Sequence, residues 1–84
     1  MDLFELGQTI SQARQAHKWT QAELADYAHL SRATVNQLEQ GRISDLGVRK
    51  LMNLLNVLGL MLTVSEKGAL PTLDDLIKER YRDA

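Results

Sequence analysis

Residues 19–41, WTQAELADYAHLSRATVNQLEQG, carry two short helical signals separated by a tight turn. Thr20 is placed to N-cap the first, and Glu23 stands three residues later to complete a capping box. Leu24, Ala25 and Ala28 recur at helical spacing and give that segment one apolar face. Ser31 is a second N-cap about one short helix further on, and Val35 and Leu38 supply the inner face of the segment it opens. Between those inner positions Arg32, Ala33, Asn36 and Gln37 point outward. Arginine, asparagine and glutamine are the side chains whose donors and acceptors pair with guanine and adenine edges. Helix, turn and helix within about twenty residues form the unit that sets a short helix into a DNA major groove.

The sequence on either side extends this unit. Leu3, Leu6, Ile10, Ala13 and His17 recur in steps of three and four, which predicts a helix over 3–17, with Asp2 and Glu5 suited to its N-terminus. The central pair is expected at about 21–28 and 32–40, closed by Gly41. After an irregular RISDLG, the residues Val48, Leu51, Leu54, Leu55 and Leu58 share one face of a further helix that Gly59 ends. Residues 60–65 then change period. Leu60, Leu62 and Val64 alternate with Met61, Thr63 and Ser65, the pattern of a half-buried strand. The sequence offers no second strand, so the open edge points to pairing with another copy across a two-fold axis, with Leu60, Leu62 and Val64 at the interface. The other reading is a helix that runs on through Gly59. Gly68 to Pro71 form a hinge, dividing a DNA-binding and dimerisation domain (1–67) from a tail (68–84). Thr72 is placed to cap a short helix, LDDLIKERYRD, with Leu73, Leu76, Ile77 and Tyr81 on one face. A helix this short docks on its own dimer, docks on a partner, or frays.

Composition narrows the class. Eighty-four residues make one small domain, and with 44% hydrophobic residues and only one Trp, two Tyr and one Phe its core must be aliphatic. Without cysteine there is neither a disulfide frame nor a thiolate metal site, and His17 and His29 belong to no ligand motif. No metal, no cofactor and no catalytic constellation is expected, so the chain reads as a non-enzyme. The start, MDLFELGQTI, has no long apolar run, which points away from a signal peptide or membrane span and toward the cytoplasm. A net charge of −1 is modest for a nucleic-acid binder. Its distribution is more favourable: Arg14, Lys18, Arg32, Arg42, Arg49 and Lys50 face only Glu23, Asp26, Glu39 and Asp45 between positions 14 and 50. Trp19, just before the Thr20 cap, reads as a packing residue that staples the helix start.

TQAELA followed by SRATVNQLEQG resembles the Cro/lambda-repressor (Xre-type) helix-turn-helix family over residues 6–58, and LMNLLNVLGLMLTVSEK is similar to the end of HipB-type antitoxins. The resemblance implies an all-α, five-helix lambda-repressor-like domain with one short C-terminal strand pairing across a homodimer, here followed by the short C-terminal helix. It further implies a repressor of its own operon on pseudo-palindromic operator DNA, partnered by a HipA-like serine/threonine kinase toxin. Carried over by position, Arg32, Ala33 and Gln37 fall where the family reads bases, with Ser31 at the edge of that group. Gln21, Thr34, Asn36, Gln40 and Arg42 match positions that touch the DNA backbone, and Arg14 and Glu39 match a salt-bridge pair. His29 stands where the family has its turn glycine, a seat that often needs positive φ. A stand-alone Xre-type repressor and a protein-interaction module that mainly inhibits a partner enzyme remain alternative readings.

Overall fold

The computed structural model describes residues 2–43, 45–64 and 66. Four helices lie among them: α1 (Leu3–Ala16), α2 (Gln21–Ala28), α3 (Arg32–Glu39) and α4 (Val48–Val57). The all-helical class is as expected, but the count among the described residues is four, not five. The described residues between α3 and α4 form no helix. Ile43 and Leu46 of RISDLG pack partly on the core from this irregular segment.

The apolar positions at helical spacing close a single aliphatic core. Ile10 of α1, Leu24, Ala25 and Ala28 of α2, Val35 and Leu38 of α3, and Leu54, Leu55 and Leu58 at the end of α4 are all buried. The second helix is central: it packs on α3 and α4, while α1 packs on α3. Helices of eight residues, as α2 and α3 are, do not persist alone in water. Burial holds them, at roughly 1.5–3 kcal/mol for each fully buried leucine, isoleucine or valine.

Three helices start on side-chain caps. Asp2 Oδ1 accepts from the Glu5 amide at 2.8 Å. Thr20 Oγ1 accepts from the Glu23 amide at 3.1 Å while Glu23 Oε1 accepts from the Thr20 amide at 3.0 Å, a complete capping box. Ser31 Oγ accepts from the Thr34 amide at 3.1 Å. All four helices end in the same way, with a residue in the left-handed region followed by two backbone bonds that close the last turn. Those residues are Lys18, His29, Gly41 and Gly59, at φ of 60°, 57°, 70° and 76°. The closing bonds run from the Trp19, Leu30, Arg42 and Leu60 amides to the carbonyls of Arg14, Ala25, Gln37 and Leu55. This is the Schellman arrangement. Trp19, Leu30 and Leu60, the residues after the left-handed seat, pack against the core. Gly59 therefore stops α4, and the alternative of a helix continuing through it does not hold. His29 does occupy a positive-φ seat.

Two glycines let α1 pass close to the end of α3. A Cβ on Gly7 would lie 2.5 Å from the Leu38 carbonyl oxygen and 2.6 Å from that of Glu39. A Cβ on Gly41 would lie 2.8 Å from Cα of Phe4. Both obstructions are backbone, which cannot rotate aside. On the other side, Asn53 Nδ2 donates to the Ala28 carbonyl at 3.2 Å and joins α4 to the end of α2. His17, expected on the α1 apolar face, is instead its C-cap. Its ring stacks on Trp19 at 4.3 Å and its Nε2 lies 3.0 Å from the Leu58 carbonyl oxygen.

Beyond α4, Leu60–Val64 are neither helix nor strand, and Met61 and Val64 are exposed. A ladder needs a second strand, and the strand expected at 60–65 is one that pairs between two copies. Ser65, the 67/68 boundary and the tail helix expected at 73–83 lie outside the described residues.

Gly7→Ala should lower stability by about 1–3 kcal/mol, the usual cost of overpacking, although alanine is the better helix former. The midpoint of urea unfolding measures it, and an unchanged or raised midpoint contradicts the close approach. His29→Gly and Lys18→Gly each remove a left-handed strain of roughly 1–2 kcal/mol against an unfolded-state entropy cost of about 0.4–1. Both variants should melt slightly above the parent, whereas His29→Val should melt clearly below it.

Candidate nucleic-acid interface

The third helix divides its residues sharply. Val35 and Leu38 are buried; Arg32, Ala33, Gln37 and Gln40 are exposed, and Thr34 and Asn36 are half-buried. Ala33 and Gln37 lie one turn apart, as do Arg32 and Asn36, so the outer face presents a cation, a methyl and two amides. Ser31 is exposed at the helix start, but its hydroxyl already accepts from the Thr34 amide and lies 2.8 Å from Thr34 Oγ1.

The only carboxylate on α3, Glu39, does not share that face. Its side chain is 6% exposed and meets Arg14 of α1 in a two-bond pair: Nε to Oε2 at 2.7 Å and Nη2 to Oε1 at 3.1 Å. The third nitrogen of Arg14, Nη1, donates to the Trp19 carbonyl at 2.8 Å, just ahead of α2. Glu39 Oε1 also accepts from Gln21 Nε2 at 3.2 Å, and Gln21 Oε1 accepts from Asn36 Nδ2 at 3.2 Å. Arg14, Glu39, Gln21 and Asn36 thus form one polar network across α1, α2 and α3. No buried side-chain nitrogen or oxygen among the described residues lacks a partner. A free charge this close to the outer face of α3 would repel an approaching anion; here it is both covered and neutralised.

Clefts flank α3 on both sides. One is lined by Arg14, Thr20, Gln21, Ala22 and Arg32, where the N-terminus of α2 opens beside the start of α3. Helix N-termini and arginines suit an anion. The other includes Thr34, Gln37, Arg42, Asp45 and Lys50 and reaches the start of α4. That helix begins at Gly47 with no side-chain cap and no acidic residue in its first turn. Arg49 and Lys50 stand there instead, against the helix dipole, which favours anions at this end. In the sequence both count only toward the charge distribution, and neither stands out as a site residue. An uncapped glycine directly before Val-Arg-Lys is the signal that marks them.

The network groups Arg14, Gln21, Asn36 and Glu39, and the two clefts flank α3 between Arg32 and Arg42. Leu60, Leu62 and Val64 lie beyond α4. Leu60 packs partly on the core, Leu62 is 47% exposed and Val64 96%. No helix among the described residues is long and apolar enough to cross a membrane.

Comparison with solved structures gives two likenesses over most of the chain. The first is the restriction-modification controller protein C.AhdI from Aeromonas hydrophila, with 25% identity and a TM-score of 0.64, covering 70% of this chain and 88% of that one. The second is a chain in the structure of a HipA-HipB-O2-O3 complex, with 24% identity and a TM-score of 0.67, covering 80% and 93%. No curated protein matches the sequence significantly. The family model described as a helix-turn-helix domain matches residues 4–67, and with the paired helices α2 and α3 in place the chain belongs to that helix-turn-helix domain family.

Proposed function

We propose that the protein is a sequence-specific DNA-binding transcriptional repressor that acts as a homodimer. The observation that carries this reading is the outer face of α3: Arg32, Ala33 and Gln37 are exposed, take no part in the internal network, and share their helix with no free carboxylate. Arg32 reads a guanine, Gln37 an adenine, and the Ala33 methyl packs on a thymine methyl, the chemistry that separates base pairs in the major groove. Ser31 borders this group. Gln21, Thr34, Asn36, Gln40 and Arg42 contact the backbone, and Lys50 joins them from α4. Such contacts fix register and orientation.

The dimer forms through Leu60, Leu62 and Val64, whose backbone pairs with the same segment of a second copy. Met52 and Val48 of α4 are exposed as well. Two recognition helices then lie about one DNA turn apart, on the order of 34 Å or a multiple of it, on a pseudo-palindromic operator. The biological role is that of a HipB-like antitoxin, which represses its own operon and binds a HipA-like kinase toxin; the likeness to the HipA-HipB-O2-O3 chain supports it at the level of fold. The likeness to a restriction-modification controller favours a second reading, a stand-alone regulator. Copurification with the product of a neighbouring kinase-like reading frame separates the two.

Binding to the DNA upstream of its own gene, against scrambled DNA of equal length across a salt series, tests the DNA reading. A preference of about a thousandfold or more supports it, and equal binding to both rejects it for that operator. Arg32→Ala should cost about 1–3 kcal/mol of discrimination at one base pair. Arg42→Ala should weaken all sequences alike and lower the salt slope by about one unit. An Arg42→Ala effect confined to one base position contradicts its backbone role. Leu62→Asp should yield monomers in sedimentation, since it places a charge in the interface; a variant that remains dimeric refutes the strand.

A further inference from the structure

We propose that Glu39 is a positioning residue for DNA recognition, setting which way the Gln21 and Asn36 amides present their donors and acceptors at the protein surface. The inference rests on the DNA-binding reading above and concerns how the recognition surface is held. A glutamine or asparagine amide has two nearly isosteric orientations that exchange its donor and acceptor ends. An isolated pair of amides has no preference between the two directions of donation. A carboxylate breaks that symmetry, because it only accepts.

The polarity follows link by link. Arg14 delivers two N–H groups to Glu39, one to each oxygen. Glu39 Oε1 also lies 3.2 Å from Gln21 Nε2, so the amide end of Gln21 must turn toward it. Gln21 Oε1 is thereby directed at Asn36, which must donate, and Asn36 Nδ2 does so at 3.2 Å. Every donor in the chain points back toward the carboxylate. The groups left over are therefore fixed: one N–H and one lone pair of Oε1 on Gln21, and one N–H with both lone pairs of Oδ1 on Asn36. Gln21 thus offers DNA a donor suited to phosphate, while its carbonyl oxygen is turned toward Asn36. Asn36, although of a residue type that reads adenine, has one of its two amide hydrogens committed within the protein.

Glu39→Gln removes the bias with almost no change of shape. Arg14 Nε, whose 2.7 Å bond is the shorter of its two to Glu39, then keeps the new amide oxygen at the Oε2 place. This leaves an NH₂ at the Oε1 place, facing both Nη2 of Arg14 and the NH₂ of Gln21. Two donors cannot pair, so Gln21 turns over, presents its oxygen inward, and reverses its bond with Asn36. The donor once offered to phosphate is replaced or misdirected without any change in a residue that touches DNA.

A double-mutant cycle on DNA affinity tests this. The probe is a duplex selected from a randomised pool by the wild-type protein; if the wild type selects no sequence, the proposal falls together with the DNA reading. Affinities of the wild type, Glu39→Gln, Gln21→Ala and the double variant are compared at a temperature where circular dichroism shows each folded. Glu39→Gln should weaken binding about tenfold in the wild-type background and less than about twofold in the Gln21→Ala background, a coupling of the size found between directly bonded residues. Equal losses in both backgrounds overturn the proposal while leaving DNA recognition intact. A purely structural Glu39 would lower the melting temperature but show no such dependence on Gln21. If Glu39→Gln does not fold, the wild type decides by nuclear magnetic resonance. One of the two Gln21 side-chain amide hydrogens should exchange with solvent measurably more slowly than its sibling, and equal exchange overturns the proposal.

Discussion

The ion pair between Arg14 and Glu39 is the contact on which the arrangement of the recognition helix depends. It joins α1 to the last turn of α3, and through Nη1 of Arg14 it also holds the Trp19 carbonyl ahead of α2. Desolvating two charges offsets much of their attraction, so a well-packed apolar pair would give similar stability. What an apolar pair cannot provide is direction. Arg14 fixes where three chain segments meet, and Glu39 hides the only negative charge of α3 from its outer face. Gly7 and Gly41 complete the junction by allowing backbone approach that a Cβ would block.

Short helices make their ends unusually important. In a helix of eight residues most backbone groups belong to one terminus or the other. Side-chain caps at Thr20 and Ser31 and closing bonds at His29 and Gly41 therefore determine whether α2 and α3 exist, and the three residues between them set their mutual angle. His29 accepts a strained conformation there, while Leu30 carries the chain back onto the core. The strain is tolerated because the seat is fixed from both sides, by the Asn53 bond to the Ala28 carbonyl before it and by the packing of Leu30 on the core after it.

Much of this fold is legible in the amino-acid sequence, and for a physical reason: helix signals are local. The Thr20–Glu23 box, the Ser31 cap, the inner residues Leu24, Ala25, Ala28, Val35 and Leu38, and the glycine ends depend on neighbours within four positions. What cannot be read there involves residues distant in sequence. Lys18 in the left-handed region has no composition signal, because lysine is not a turn residue. His17 fits the α1 period, yet its ring is taken by Trp19 and the carbonyl of Leu58, 41 positions away. The close approach at Gly7 is invisible without α3. Periodicity places Asn36 outward with Gln37, and only the fold shows that Gln21 holds one of its hydrogens while Gln37 remains outside the network. The Lys50 cleft is hidden for the same reason, since it is assembled from α3, α4 and the segment between them.

A net charge of −1 gives the chain no overall attraction for a polyanion. Screening limits electrostatics to about 8 Å at physiological ionic strength, so the DNA backbone responds to the groups beside α3 and not to the total. Arg32 lines the cleft on one side of that helix and Arg42 and Lys50 the other, and the carboxylate between them is neutralised. Long-range attraction is correspondingly weak, and nonspecific affinity with it. Discrimination must then come from groups whose direction is settled before DNA arrives, since ordering loose side chains on binding costs about 0.5–1.5 kcal/mol each. Fixing two amides through one buried carboxylate serves that requirement directly. A weakly charged DNA-binding regulator depends more on such preorganisation than a strongly basic one does.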